Sequence, residues 1–563
     1  IISAFFVTLA RLLAPLEMSW DPAVQLDAAH RLVQGLGLTT TVSPIPQYID
    51  QIPANLNQAP TPHYLTSFPP GFSLLVASLL FVGISLASSL KILYSLATLL
   101  GWVAWALIAS HCLSKPLKLG SISFPAQFFL AALLPVFYTP VWIGTDIFLW
   151  SALPFMVLLL FNSAFKGSLN LPYLVTAGLI FGFQFSLRYA VLFVGIAAFF
   201  ILLQVNFPQG KAFLKSYFIF LISSLVLIIP IFIYIKLANS YNGISALPQV
   251  SFKSQYSDFF STITEILQSS SAIANISGLP IQPKLAYHLA PNPSLYFIGI
   301  FFLIFTFLLP LLVFKRNKRA SLDEVKRDFP LALSLLPASL VFFLLFCNSA
   351  GQYDFLGTPR YYLPVFLPTL FVCYESIVIK TRNIYKLIRN LFLIFIIMFF
   401  AYNLVARPLD WKPGSSISFK GIPARLTREV LTNSMMYRKD YRYPSNKVMI
   451  GYAETSAKVR ELQKENPDAL FFVQEYPFYV YDGHPGLRVI PVSEFWKKAY
   501  VDKAVKVFWV VNQKCPAVCT EHGKEVIDRL SSQPGLRTVF TSSKENREHT
   551  KILVSDLPSG YKF

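Results

Sequence analysis

Four ionisable residues that could perform chemistry lie at the ends of apolar segments, and we predict that these ends face one side of a membrane: Asp21, Asp146, Arg188 and Arg360. An aspartate at a membrane surface can act as general base towards an acceptor hydroxyl. Arginine suits a phosphate, because its guanidinium pairs bidentately with phosphate oxygens. A base and a phosphate clamp at a lipid interface together indicate a lipid-phosphate substrate.

Each of the four residues also has a structural interpretation that needs no chemistry. Asp21 could cap the amphipathic helix that follows it, and Asp146 could cap the next apolar segment. Arg188 could extend its charge to the interface, and Arg360 could anchor a span there. Three other groups have structural interpretations: Glu375 as a satisfied polar group between helices, and His63 and His288 as loop histidines.

The composition of the 563-residue chain is that of a membrane protein. It is 54% hydrophobic and only 14% charged, with 52 phenylalanines and a mean hydropathy of +0.52. Soluble domains carry about 25% charged residues, so a soluble globular protein and a disordered one are both excluded. From Arg407 onward lie 25 of the 48 basic and 17 of the 29 acidic residues. We therefore predict a membrane domain over 1–406 and a polar part after it.

Apolar runs long enough to cross about 30 Å of hydrocarbon predict eleven spans. They are 1–16, 88–112, 123–141, 147–164, 171–187, 189–206, 214–236, 294–315, 329–347, 361–380 and 387–405. The first is short and begins at Ile1, so we expect residues before it and no cleavable signal peptide. The apolar segment 69–85 begins with two prolines and carries serines, and it could either span the membrane or lie in the interface.

The distribution of basic residues decides between these two possibilities for 69–85. If this segment does not span, one side of the membrane holds 15 basic and three acidic residues, and the other holds eight of each. The basic side is the cytoplasmic one, and a spanning 69–85 would reverse the bias. We therefore predict a re-entrant or interfacial helix at 69–85, a cytoplasmic N-terminus, and an outer location for loop 17–87 and the C-terminal part. The net charge of +19 then reports orientation and not a nucleic-acid partner.

Five sequence elements in order resemble the GT-C glycosyltransferases, in particular the branch of the protein O-mannosyltransferases and the lipid A aminoarabinose transferase. Trp20-Asp21-Pro22, followed by an amphipathic helix that closes on Gly-Leu-Gly, is similar to their first outer loop. The other four matches are Tyr64–Leu75 to their Pro-Pro helix, Tyr138–Phe148 to their second acidic position, Ala177–Arg188 to their glycine-rich helix, and Pro359–Pro368 to their Arg-Tyr element.

This resemblance implies an enzyme that moves a sugar from a polyprenyl-phosphate carrier to an acceptor outside the cell (inner) membrane, with inversion. Asp21 would be the general base, and Asp146 would support the acceptor or a cation. The implied substrate-binding residues are Arg360, Tyr361, Arg188, His63 and Tyr64. Pro22 replaces the second acid of the family's acidic pair, so we expect no metal, with a divalent cation as the alternative. The implied partners are the lipid-linked sugar, membrane lipid, and an acceptor lipid, glycan or protein.

The pattern changes after residue 406. Residues 407–446 contain four prolines and predict a linker or lid, and 447–563 predict a small extracytoplasmic α/β domain. The predicted strands are Lys447–Tyr452, Leu470–Glu475, Leu487–Val492, Lys506–Val511, Leu536–Ser542 and Lys551–Ser555, and the predicted helices are Thr455–Glu465 and Glu521–Ser531. Cys515 and Cys519 are compatible with a disulfide outside the cytoplasm.

The sequence thus favours a polytopic α-helical, GT-C-like membrane enzyme of about eleven spans with a C-terminal α/β domain. The alternatives are a membrane transporter or ligase that handles lipid-linked saccharides, and a non-catalytic scaffold. A transporter predicts broken helices and charges at the middle of the bilayer. Here almost all ionisable groups within or next to the spans, other than those of the cytoplasmic loops, lie at the outer ends, and no internal repeat is visible. Both observations favour chemistry at the membrane surface.

Overall fold

The structure is a computed structural model. It describes residue 8 and the ranges 20–41, 53–112, 117–119, 122–124, 145–163, 169–206, 209–238, 446–473, 486–490, 493–512, 535–542 and 550–563. The predicted spans 1–16, 294–315, 329–347, 361–380 and 387–405 lie outside these ranges, apart from the helical Thr8.

The described helices of the membrane part follow the predicted apolar segments. They are α1 (Trp20–Val33), α2 (Gly71–Phe81), α3 (Leu86–Cys112), α4 (Asp146–Asn162), α5 (Leu171–Leu187), α6 (Leu192–Asn206) and α7 (Gly210–Ala238). A 3₁₀ turn, Tyr189–Val191, joins α5 to α6. Helices are therefore confirmed at 88–112, 147–164, 171–187, 189–206 and 214–236, with ends that shift by a few residues.

Two of the described helices are long and apolar enough to cross a membrane by themselves, α3 over Leu86–Ile108 and α7 over Gly210–Ala238. Helices α4, α5 and α6 are apolar and have 15 to 17 residues each. Two short strands, β1 (Thr39–Thr40) and β2 (His63–Tyr64), precede α2. One predicted boundary is wrong. After α3, strand β3 (Leu117–Leu119) pairs antiparallel with β4 (Ile122–Phe124), so the predicted span 123–141 does not begin at residue 123.

The ambiguous segment 69–85 contains the short helix α2. Its 11 residues extend for about 16 Å, roughly half the hydrocarbon thickness. The chain then turns at Gly83, whose φ of +85° favours glycine. Ser85 Oγ accepts the N–H of Ser88 (3.3 Å) and so caps the start of α3. The length of α2 agrees with the prediction of an interfacial or re-entrant helix.

Helices α5 and α7 pack with their backbones close together. A Cβ on Gly178 of α5 would lie 2.4 Å from the Phe220 carbonyl oxygen of α7, and one on Gly182 would lie 2.6 Å from the Ser224 carbonyl oxygen. Small residues four positions apart allow such an approach between helices in lipid. Two glycines of the element Ala177–Arg188 therefore serve helix packing.

The C-terminal part forms a five-stranded mixed sheet in the order β6-β5-β7-β9-β8. Its elements are helix α8 (Asn446–Glu465), β5 (Leu470–Val473), β6 (Leu487–Val489), helix α9 (Ser493–Trp496), β7 (Val505–Asn512), β8 (Arg537–Thr541) and β9 (Thr550–Leu557). Strand β5 pairs in parallel with β6 and β7, whereas β9 pairs antiparallel with β7 and β8.

Five of the six strands predicted after residue 446 are confirmed as members of this sheet, and the helix Thr455–Glu465 is confirmed within α8. The predicted strand Lys447–Tyr452 is wrong, because these residues belong to α8. Val448 and Tyr452 continue the spacing of three and four that runs to Val459 and Leu462, so a helical period extends over the whole segment. The predicted helix Glu521–Ser531 lies outside the described residues, as do Cys515 and Cys519.

The sheet has an apolar core on each face, because successive strand residues alternate between the faces. Val459 and Leu462 of α8 share a cluster with Phe471 and Phe508. On the opposite face, the fully buried Trp509 lies among aromatic side chains and donates from Nε1 to Ser555 Oγ (2.9 Å). The aromatic residues on this face are Phe472, Phe495, Trp496, Trp509, Tyr561 and Phe563.

Candidate functional site

The two predicted catalytic aspartates lie in the first turns of helices. Helix α1 begins at Trp20, so Asp21 is its second residue, and α4 begins at Asp146 after Thr145 at the N-cap. Neither aspartate therefore occupies the cap position itself. The dipole at a helix N-terminus favours negative charge. The structure describes the backbone of Asp21 and of Asp146.

One continuous cluster of buried apolar residues joins the positions next to four predicted site residues. Its members there are Ala23 and Val24 after Asp21, Leu65 after Tyr64, Ile147 and Phe148 after Asp146, and Leu187 before Arg188. A shared core fixes these positions relative to one another, since packed side chains resist displacement. The structure therefore brings together the start of α1, the residue after Tyr64, the start of α4 and the end of α5.

Helix α2 contacts the neighbouring helices through its first residues. Phe72 packs against Tyr94 of α3 and Phe148 of α4, with ring centroids 6.4 and 5.9 Å apart. Tyr94 and Phe148 also contact each other, at 5.5 Å. Ser73 Oγ donates to the Gln25 carbonyl oxygen of α1 (2.7 Å). The start of α2 thus connects the two helices that begin at the predicted acidic residues.

The start of α2 also touches the end of α5. A Cβ on Gly71 would lie 2.5 Å from the Ser186 carbonyl oxygen, so only glycine allows this approach. Arg188, two residues after Ser186, adopts an extended backbone (φ −156°, ψ 123°) that ends α5. Its N–H donates to the Gln184 carbonyl oxygen (2.8 Å). The Arg188 side chain is half-buried. The Pro-Pro-Gly element and Arg188 are therefore neighbours.

Arg360 and Tyr361, the two other cationic and aromatic residues predicted for the substrate, lie outside the described residues. Glu375 and His288 do so as well. Their places in the site stay predictions.

His63 and Tyr64 form a short strand at the edge of this region. Strand β2 (His63–Tyr64) pairs antiparallel with β1 (Thr39–Thr40), with Thr40 opposite His63 and Thr39 opposite Tyr64. His63 is half-buried, whereas Tyr64 is 48% exposed and meets the Tyr234 ring edge-on, with centroids 6.4 Å apart. The pair therefore presents one semi-enclosed imidazole and one open phenol.

Asp27 of α1 holds strand β1 in place. Its Oδ2 accepts from Thr40 Oγ1 (2.7 Å) and from the Thr41 N–H (3.2 Å). Burial raises the pKa of Asp27 from its ordinary value of 3.8, and the two hydrogen bonds and Arg31 oppose that rise. Arg31, one turn later, donates from Nε to Thr39 Oγ1 (3.0 Å). One helix face thus fixes both residues of β1.

The surroundings of His63 favour its neutral form. Burial lowers the pKa of His63 from its ordinary value of 6.5, and the positive charge of Arg31 lowers it further. A neutral imidazole can donate or accept a hydrogen bond but carries no charge to offset a phosphate. His63 is therefore better suited to a hydrogen bond with an uncharged group than to pairing with a phosphate.

Two tyrosines of the helices hold the chain around β2. The Tyr234 hydroxyl of α7 lies 2.9 Å from the Leu65 carbonyl oxygen and 3.1 Å from the Leu38 carbonyl oxygen. The Tyr189 hydroxyl, next to Arg188, donates to the Thr66 carbonyl oxygen (3.3 Å). These contacts join the C-terminal ends of α5 and α7 to the part of the chain that carries His63 and Tyr64.

Asp27, Tyr189 and Tyr234 were missed by sequence reasoning as site-forming residues. The Asp27–Arg31 spacing of four on an amphipathic helix was the one available signal. Within the described ranges, no three His, Cys, Asp or Glu residues are grouped so that they could hold a metal ion. The described residues thus form a scaffold that places helix starts, one arginine and two aromatic groups together.

The chain was compared with known proteins. No protein-family model and no curated protein sequence matches it. Among solved structures, it is similar to ArnT from Cupriavidus metallidurans bound to undecaprenyl phosphate, with a TM-score of 0.53, 11% identity, and coverage of 98% of this chain and 96% of that one. It is also similar to ArnT of the same organism in the apo state, with a TM-score of 0.50, 11% identity and the same coverage.

This likeness shows the fold. The chain has the fold of ArnT, and the match extends over nearly its whole length. At 11% identity the likeness does not extend to a particular family.

Proposed function

We propose that this protein is an integral-membrane glycosyltransferase that moves a sugar from a polyprenyl-phosphate carrier to an acceptor on the extracytoplasmic side of the inner membrane. The observation that carries the proposal is the shared apolar core that joins the starts of α1 and α4 to the end of α5. This core gathers the positions of two acids and one arginine around a helix that is too short to span. The ArnT fold supports the proposal, since one ArnT structure holds undecaprenyl phosphate.

In the proposed reaction, Asp21 accepts the proton of the acceptor hydroxyl. The acceptor oxygen forms a bond to the anomeric carbon while the bond from that carbon to the phosphate oxygen breaks. The phosphate leaves with the electron pair, and the configuration at carbon is inverted because attack and departure occur on opposite faces. A phosphate is a good leaving group, so one base and a cationic clamp suffice, whereas hydrolysis of an ordinary glycoside requires two carboxylates.

The remaining residues have separate roles in this proposal. Arg188, with the predicted Arg360 and Tyr361, binds the carrier phosphate or the sugar. His63 and Tyr64 form hydrogen bonds to sugar hydroxyls in this proposal. Both side chains are uncharged, so they suit a hydroxyl better than they suit a phosphate.

Asp146 supports the acceptor in this proposal. We propose a reaction without a metal, because Pro22 follows Asp21 where a second acid would be needed to hold a cation.

A transfer assay with a panel of polyprenyl-phosphate sugars tests the proposal. The purified protein should release free polyprenyl phosphate and form a glycosylated acceptor, and NMR of the product should show the inverted anomer. Movement of the intact lipid-linked saccharide across a liposome bilayer, without any bond change, would instead support a transporter.

A further inference from the structure

A segment of the first outer loop is built into the C-terminal domain. This docking segment, residues 54–57, lies between strands β1 and β2 in the sequence and more than 400 residues before its contacts. The Tyr500 N–H donates to the Ala54 carbonyl oxygen and the Leu56 N–H donates to the Tyr500 carbonyl oxygen, both at 2.8 Å. Asn55 and Tyr500 thereby form a parallel bridge, and Tyr500 forms an antiparallel bridge with Lys562.

The docking segment also completes an apolar core. Leu56 is fully buried, in the same cluster as Phe472, Phe495, Trp496 and Trp509 on the α9 face of the sheet. Leu56 therefore anchors the docking segment to the C-terminal domain. Its removal would leave a cavity between the aromatic rings.

Polar groups fix the register of the docking segment. Asn57 Oδ1 accepts the N–H groups of Asp502 (3.0 Å) and Lys503 (3.3 Å), and Asn57 Nδ2 donates to the Lys503 carbonyl oxygen (3.3 Å). Arg488 of β6 donates from a guanidinium nitrogen to the Leu56 carbonyl oxygen (2.6 Å), with its guanidinium 5.8 Å from the ring centre of Phe472. These bonds pair side chains with backbone groups at specific positions, so a one-residue shift would lose them.

The docking segment lies close in sequence to His63 and Tyr64, so its contact with the C-terminal domain also restrains these two residues. Strands β1 and β2 pair with each other and are held in the site region by Asp27 and Tyr234. The docking segment lies between the two strands in the sequence. Strand β2, which begins six residues after the segment ends, carries His63 and Tyr64. A restraint on 54–57 is therefore a restraint on the loop that ends at His63.

We propose that residues 54–57 are a structural part of the C-terminal domain, and that through them the domain fixes the first outer loop at the candidate site. Both parts must then lie on one side of the membrane, with an even number of crossings between residues 57 and 488. The ten spans predicted in that interval satisfy this condition. Leu56 and Asn57 are positioning residues. The consequence for catalysis rests on the proposed function, whereas the docking itself does not.

Hydrogen–deuterium exchange on the full-length protein in detergent tests the docking. Asn57→Ala removes the acceptor for the amides of Asp502 and Lys503, so these should exchange about tenfold faster, as expected for one lost hydrogen bond. Leu56→Asp should also accelerate exchange at Tyr500, because a carboxylate cannot be accommodated in the aromatic core. Gln58→Ala, at the exposed neighbouring position, is the matched control and should leave all of these rates unchanged.

Unchanged exchange at 500–503 in both Leu56→Asp and Asn57→Ala would overturn the docking. If Leu56→Asp yields no folded protein, Asn57→Ala carries the test, since it leaves the apolar core intact. Turnover is measured on the same samples. Faster exchange with reduced turnover supports the positioning role, whereas faster exchange with unchanged turnover overturns that role and leaves the docking intact. A wild-type protein without transferase activity would contradict the proposed function alone, because the exchange rates do not depend on activity.

Discussion

Replacement of Gly71 by alanine tests the contact that joins the Pro-Pro-Gly element to the helix that ends at Arg188. The new Cβ would lie 2.5 Å from the Ser186 carbonyl oxygen and 2.4 Å from Ser186 Oγ. Non-bonded heavy atoms of this kind pack at about 3.5 Å, so the start of α2 and the end of α5 must separate by about 1 Å. Because one clashing atom belongs to the backbone, a rotamer change of Ser186 cannot relieve the overlap.

The expected cost of this substitution can be bounded. Overpacking of a tight contact lowers the free energy of unfolding by about 1–3 kcal/mol. The higher helix propensity of alanine relative to glycine offsets up to about 1 kcal/mol of this loss. A net loss of about 1–2 kcal/mol corresponds to roughly a 5- to 30-fold decrease in the ratio of folded to unfolded protein. The displacement also moves Arg188, which follows Ser186 by two residues, so we expect lower transfer activity as well as lower stability.

The assay is the apparent Tm of the detergent-solubilised protein together with its transfer rate. Gly210→Ala is the matched control, because Gly210 is also the first residue of a helix and a Cβ there would meet no atom within 4 Å. Gly71→Ala should melt at a lower temperature than Gly210→Ala and should be less active. Equal melting temperatures and equal rates for the two variants would refute the proposed contact between α2 and α5.

Two further predictions concern the residues that hold strands β1 and β2. Burial raises the pKa of Asp27 above its ordinary value of 3.8, so the folded state holds the proton more tightly than the unfolded state does. This contribution to stability is fully present below pH 3.8 and is lost as the pH rises through the pKa of the folded state. The stability of the wild type relative to Asp27→Asn should therefore fall from acid to neutral pH, and a pH-independent difference in Tm would contradict this. Tyr234→Phe removes the one hydroxyl proton that lies between the Leu65 and Leu38 carbonyl oxygens. The Leu38 oxygen keeps the Leu65 N–H as a donor, so the loss falls mainly on the Leu65 oxygen and should cost about 1–3 kcal/mol. Tyr173→Phe, at a 40% exposed position, is its control, and an equal Tm for the two would argue against the hydroxyl's role.

The apolar helices could be predicted from the sequence because their signals are local. The segment 171–187 has the bounds of α5, since a polar Asn170 precedes its apolar run and Arg188 ends it. The prediction that 69–85 does not span the membrane came from the charge balance over the whole membrane part, a signal that hydropathy alone does not contain. The C-terminal strands were predicted from alternating apolar residues, which the two-sided burial of the sheet requires.

The features that were missed depend on contacts between distant residues. Nothing next to Asp27 in the sequence shows that it would accept a hydrogen bond from Thr40, 13 residues later. The docking segment has no hydrophobic period, and its partner Arg488 is 432 residues away. Lys447–Tyr452 was predicted as a strand because six residues were considered without the helix that follows them. Local patterns therefore predicted elements, whereas the site depends on how those elements pack.

The central claim is that Asp21, in the first turn of α1, is the general base of a sugar transfer from a lipid phosphate. The most direct test is the rate of transfer by Asp21→Asn, with Glu17→Gln as a control acid in the same predicted loop. General-base catalysis contributes about 10²- to 10⁴-fold, so kcat should fall by that factor in Asp21→Asn with little change in KM, and Glu17→Gln should retain wild-type rates. A folded Asp21→Asn protein with kcat within about threefold of the wild type would contradict the account.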